Sequence, residues 1–169
     1  FVLHAEPELD CANPAQATAA LKGADLVVAM TPFKTRALDY AHVILPVAPF
    51  TETSGTFINT EGRVQSFNAV VKPLGETRPA WKVLRVLGNL LGLPGFDQDS
   101  SEAVRAEVLG GKPASVAERL NNQTDGIAIN LAPTAPVLQR IADVPIHFAD
   151  PLARRAPSLQ KTRDAAPPA

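Results

Sequence analysis

The chain has 169 residues, with 16 Lys plus Arg against 17 Asp plus Glu, a formal net charge of −1. That length suits one domain, and the charge balance excludes both a basic nucleic-acid-binding protein and an acidic solvating tail. One cysteine, Cys11, excludes a disulfide framework and any all-cysteine metal centre within these residues, and no apolar run approaches the roughly 18 residues of a membrane helix. The first residues, Phe1-Val2-Leu3-His4, form a short apolar strand with no initiating Met, which suggests the C-terminal piece of something longer. Asn13-Pro14 opens a helix, with Asn as N-cap and Pro at the first helical position, and Gly23 closes it in the left-handed conformation. Leu26 to Met30 is an unbroken apolar run, as expected of a strand covered on both faces. Thr31-Pro32 starts a short helix ending near Leu38, and His42 to Leu45 is a third strand stopped by Pro46. The order β-α-β-α-β implies parallel strands joined by helical crossovers.

Beyond Pro46 the chain changes character. Gly55-Thr56-Phe57-Ile58 and Arg63 to Phe67 flank Asn59-Thr60-Glu61-Gly62, which predicts a hairpin around a four-residue loop. Pro79 starts a helix in which Trp81, Leu84, Leu87 and Leu91 make an apolar stripe, with Lys82, Arg85 and Asn89 opposite; Gly92 and Pro94 end it. Asp99 and Glu102 suggest a capping box for a helix over 100–109, closed by Gly110-Gly111, and Pro113 opens a third with Val116 and Leu120 inward. Seven prolines in the last 40 residues then disfavour both helix and ladder. The expected organisation is an α/β domain over 1–121 and a proline-rich extended arm over 122–169, whose last 19 residues carry a net charge of +3.

Little in the sequence carries chemistry by itself. His4, His42 and His147 lack neighbours at metal-ligand spacing, and Cys11 sits between Asp10 and Ala12 with no base beside it. No catalytic and no metal-binding residue is expected. Thr51 to Gly55 could offer backbone N–H groups to an anion, but a turn-rich connection explains the same residues. Arg63 could clamp a phosphate or carboxylate; pairing with Glu61 or Glu52 is the simpler role. Thr51, Glu52, Gly55 and Arg63 are therefore weak candidates for a vestigial pocket. The Trp81–Leu91 stripe is a core contact or a partner-binding face.

Three stretches carry a resemblance. Residues 41–67, AHVILPVAPFTETSGTFINTEGRVQSF, resemble the molybdopterin-dependent oxidoreductase superfamily in Leu45-Pro46, Glu52-x-x-Gly55-Thr56-Phe57 and Asn59-x-Glu61-Gly62-Arg63-x-Gln65. Residues 72–96 and 144–162 resemble the C-terminal part of the large iron–sulfur subunit of bacterial proton-pumping NADH:quinone oxidoreductase, respiratory complex I. That resemblance implies a molybdopterin-oxidoreductase-like fold serving as a non-catalytic scaffold. The 4Fe-4S and 2Fe-2S clusters would lie in the N-terminal part of the parent subunit, and none in this stretch. It implies contacts with that N-terminal part and with other peripheral-arm subunits, on the cytoplasmic side of the bacterial inner membrane, without nucleic acid or membrane insertion. The alternative is a fragment of an active molybdopterin-dependent oxidoreductase. His42 departs from the family pattern, which has Asp just before the strand.

Overall fold

A computed structural model describes residues 1–110 and 145–165, together with 116, 126 and 128. Of the third helix expected at Pro113, only Val116 is described, in no helix, and the rest lies outside these residues. The described elements are β1 (Val2–Leu3), α1 (Pro7–Asp10), α2 (Pro14–Lys22), β2 (Val28–Thr31), β3 (Val43–Pro46), β4 (Gly55–Ile58), β5 (Val64–Phe67), α3 (Ala80–Leu90) and α4 (Ser101–Leu109). They fall into two compact units, residues 1–4 with 25–110 and residues 5–24 with 145–165.

The first unit is built on a parallel sheet in the order β1-β2-β3. Val2 and Leu3 pair with Ala29 and Met30, and Val28 to Thr31 pair with Val43 to Pro46. All four residues of β2 are buried, as the unbroken apolar run predicts. Val28 and Met30 join Val47 in the core, and Leu45, Ala80, Val83 and Leu84 pack against them. α3 is therefore the helix that covers this face. Burying side chains of this size contributes about 1.5–3 kcal/mol each before the entropy of ordering them is counted.

Two expectations for α3 and its neighbours need correction. The residues that reach the core are Ala80, Val83 and Leu84, while Leu91 is exposed, because the helix ends at Leu90 and the chain turns away through Gly92 at φ +67°. The N-cap of α4 is Ser100, whose hydroxyl accepts from the Ala103 N–H at 3.0 Å; Asp99 instead faces Arg85 at 3.3 Å. Gly110 ends α4 in the left-handed conformation, φ +64°, as its type favours.

The helical piece between β2 and β3 is also shorter than expected. Thr31 does not cap a helix; its hydroxyl accepts from the Phe33 N–H in a local turn. The single helical element here is a 3-10 turn, Arg36–Asp39, capped by Thr35. The hairpin forms as predicted: β4 and β5 pair antiparallel from Gly55↔Phe67 to Ile58↔Val64. The Phe67 ring lies against Gly55, where a Cβ would approach its Cζ to 2.8 Å, and stacks on Phe57 with ring centroids 5.1 Å apart. Glycine at 55 makes room for that ring.

In the second unit, Asn13 caps α2 as predicted, accepting from the Gln16 N–H at 3.0 Å. Gly23 ends it at φ −90°, a right-handed cap rather than the left-handed one expected, with its N–H on the Ala19 carbonyl and the Ala24 N–H on the Leu21 carbonyl. α1 is an additional one-turn helix with Pro at its start. The proline-rich segment 145–165 holds no α-helix or strand; it winds through four 3-10 turns, Ile146–Phe148, Ala153–Arg155, Leu159–Lys161 and Arg163–Ala165. Such short turns need few backbone donors, so proline tolerates them.

Candidate functional site

The hairpin loop is held by one side chain. Asn59 Oδ1 accepts from the Glu61 N–H at 3.1 Å and the Arg63 N–H at 2.8 Å, and its carbonyl accepts from Gly62, whose φ of +77° suits glycine. Arg63 points its guanidinium at Glu61, 3.9 Å away, with the Arg63 side chain 69% exposed. A pair so exposed contributes at most about 1 kcal/mol. Glu52 Oε2 accepts from the Leu74 N–H at 2.8 Å, and the Thr51 carbonyl accepts from the Val70 and Val71 N–H groups. These contacts tie the segment after β5 back to the 3-10 turn Phe50–Glu52.

A hollow of about 220 Å³ opens between the hairpin and α4, walled by Ile58, Trp81, Val104, Val108 and Leu109, with Ser54 and Arg105 at polar positions. Of the four candidates named from sequence, Gly55 lines it; Thr51, Glu52 and Arg63 do not. Its hydroxyls are chained to one another. Ser54 Oγ and Ser101 Oγ lie 2.7 Å apart, and Ser101 donates to Glu102 Oε2 at 3.1 Å. Thr56 Oγ1 meets Ser66 Oγ at 3.1 Å, and Arg105 Nη1 donates to Ser66 Oγ at 2.5 Å. The Trp81 indole N–H is buried with no acceptor among the described residues.

The His42 imidazole serves the backbone. His42 Nδ1 accepts from the Val27 N–H at 3.0 Å, and the His42 N–H donates to the Val27 carbonyl at 2.9 Å. A carboxylate oxygen could fill the same acceptor position, which explains how His can stand where the family pattern has Asp. His4 follows β1 at φ +51°, a conformation uncommon outside glycine, and its N–H continues the ladder to the Met30 carbonyl. Among the described residues, no group of three or more His, Cys, Asp or Glu is placed to hold a metal ion, and no helix is long and apolar enough to cross a membrane.

The second unit contains a constellation that sequence reasoning missed. Arg154, its side chain 3% exposed, donates from Nη1 to Glu6 Oε1 and from Nη2 to Asp10 Oδ1, both at 2.8 Å; Arg155 Nη2 also reaches Glu6 Oε1 at 2.6 Å. Burial raises the Asp10 carboxyl, but the Glu6 N–H and the Arg154 guanidinium outweigh it and hold the group below its ordinary value. No sequence signal joins residues 144 to 149 positions apart.

A parallel sheet, a flanking helix and the Glu-x-x-Gly-Thr-Phe hairpin together define a segment of an α/β oxidoreductase fold. The molybdopterin oxidoreductase family matches residues 1–90, and the chain belongs to that family. Curated relatives include proteins of Staphylococcus aureus named "Putative formate dehydrogenase", 42% identical in strain bovine RF122 / ET3-1 and 40% identical in strain USA300. Each match covers 74 residues, 44% of this chain and 8% of the relative. The chain thus matches only a small part of these relatives' length.

Family membership raises the fit of a molybdopterin group. Between Leu45 and Arg63, Glu52 Oε2 and Asn59 Oδ1 are committed to backbone amides, and Arg63 faces Glu61 in solvent.

Proposed function

We propose that this chain is the C-terminal, non-catalytic scaffold portion of the large iron–sulfur subunit of proton-pumping NADH:quinone oxidoreductase. In that role it supports electron transfer from NADH to quinone through clusters carried elsewhere in the parent subunit. It would contact the N-terminal part of that subunit and other peripheral-arm subunits, on the cytoplasmic side of the bacterial inner membrane.

The observation that carries this reading is the placement of Arg154 and Arg155. They belong to the segment 144–162 that resembles the complex I subunit, which lies beyond the family match over 1–90. Their ion pairs to Glu6 and Asp10 make that segment an integral part of the second unit rather than an appendage. The use of Glu52, Asn59 and Arg63 within the hairpin region agrees with a scaffold.

A second reading is favoured by the relatives' names: a fragment of an active molybdopterin-dependent oxidoreductase of formate dehydrogenase type. Purification of the parent protein from its host separates the two. The scaffold reading expects iron and acid-labile sulfide, NADH:quinone activity, and neither molybdenum nor tungsten. Stoichiometric molybdenum or tungsten with formate oxidation would establish the second reading and end the first. Deletion of residues 151–169 is expected to reduce assembly of the parent complex while leaving electron transfer in the assembled fraction intact.

A further inference from the structure

We propose that the hollow between the β4–β5 hairpin and α4 binds a small aryl carboxylate, a single ring bearing one carboxyl group. This site is separate from the scaffold role and does not rest on it.

Size sets the first limit. A dry cavity of about 150 Å³ accepts benzene, whereas drug-sized ligands occupy about 300–1,000 Å³. The hollow, at about 220 Å³, has room for one ring and one small substituent. Its walls set the second. Trp81, Ile58, Val104, Val108 and Leu109 offer an aromatic and aliphatic surface to the ring.

The hydrogen-bond inventory sets the third. The Ser101 hydroxyl donates to Glu102, so the Ser54 hydroxyl donates to Ser101. Thr56 and Ser66 share one bond, and Ser66 receives Arg105. What remains is a surplus of donors. Arg105 has five N–H groups, one of which is on Ser66, whereas the buried Trp81 N–H does not open into the hollow. A ligand that supplies acceptors fits this inventory, and a guanidinium fork matches a carboxylate. Glu102, one turn-neighbour away on α4, lies in solvent and partly offsets the Arg105 charge. This favours a monoanion over a phosphate.

Trp81 is the chain's single tryptophan, so its emission reads occupancy directly. Titration of the full chain with phenylacetate is expected to saturate at millimolar concentration or below. Phenylacetate should bind at least about fivefold more tightly than the neutral 2-phenylethanol, given the strength of charge-assisted hydrogen bonds. Arg105→Met should erase that preference while keeping 2-phenylethanol binding, and Val108→Phe should weaken both ligands by narrowing the hollow. No saturable response up to about 20 mM, equal affinities for acid and alcohol, or a preference that survives Arg105→Met would each overturn the proposal. Should Arg105→Met disorder the hairpin, seen as lost amide dispersion around Phe57 and Gln65, the unsubstituted chain decides. There the preference for the acid must shrink with added salt, and a salt-independent preference overturns the proposal.

Discussion

Replacing Arg154 with Met tests the ionic clamp of the second unit. Methionine keeps much of the apolar stem and removes the fork that reaches Glu6 and Asp10. Breaking a fully buried pair from one side costs about 3–5 kcal/mol. Two features reduce that here: Asp10 is 32% exposed, and Glu6 keeps Arg155. The Arg154 Nε is buried without an acceptor among the described residues, a cost that the substitution relieves. The expected loss is therefore about 2–3 kcal/mol. Hydrogen exchange reads it locally, because the Asp10 and Cys11 amides donate to the Glu6 and Pro7 carbonyls of α1. Those amides should exchange roughly 30- to 150-fold faster in the variant. Asp10 lies below its ordinary value in the folded chain, so its contribution is complete at neutral pH and is lost as pH falls below about 4. Arg154→Met should flatten that acid limb. A change in exchange of less than about threefold, with the acid limb intact, would show that the clamp does not hold α1.

Substitutions at Glu52, His42 and Gly88 test the first unit, each read from the urea midpoint of Trp81 fluorescence. Glu52→Ala should cost about 0.5–1 kcal/mol by freeing the Leu74 N–H, with Glu52→Gln close to neutral because the amide oxygen still accepts. His42→Asp should fall within about 0.5 kcal/mol of the parent while His42→Leu costs about 1 kcal/mol, since only Asp restores an acceptor for Val27. Gly88→Ala sets two effects against each other: alanine favours the helix by about 1 kcal/mol, but its Cβ would lie 2.3 Å from Phe96 Cγ. The clash should win, giving a net loss of about 1–2 kcal/mol that Phe96→Ala relieves.

Local patterns were legible in the sequence wherever the deciding contact is local. The β2 run, the Asn13 cap, the hairpin and the extent of α3 depend on residues within a few positions of one another, and the structure has them. Choices between adjacent equivalents were not legible: Ser100 rather than Asp99 caps α4 because only its hydroxyl meets the Ala103 N–H. The one-turn α1 has too few residues to show a period. The Arg154 cluster joins distant residues, and no rule of spacing anticipates such pairs. The oxidoreductase family was legible through the Glu-x-x-Gly-Thr-Phe and Asn-x-Glu-Gly-Arg motifs, whereas the hollow depends on how α4 meets the hairpin.

The motif residues have roles in the fold itself. Glu52, Gly55 and Asn59 each solve a backbone problem: an N–H to satisfy at Leu74, a ring to admit at Phe67, a loop to close at Arg63. A ligand that took Glu52 Oε2 or Asn59 Oδ1 would release the amides those two atoms now hold. Each lost bond costs about 0.5–1.5 kcal/mol, so ligand contacts there would begin at a deficit. Among the described residues, Arg105 donates to Ser66. Those backbone roles account for Glu52, Gly55 and Asn59 through folding alone, whereas a ligand at Arg105 would displace no backbone hydrogen bond among those described.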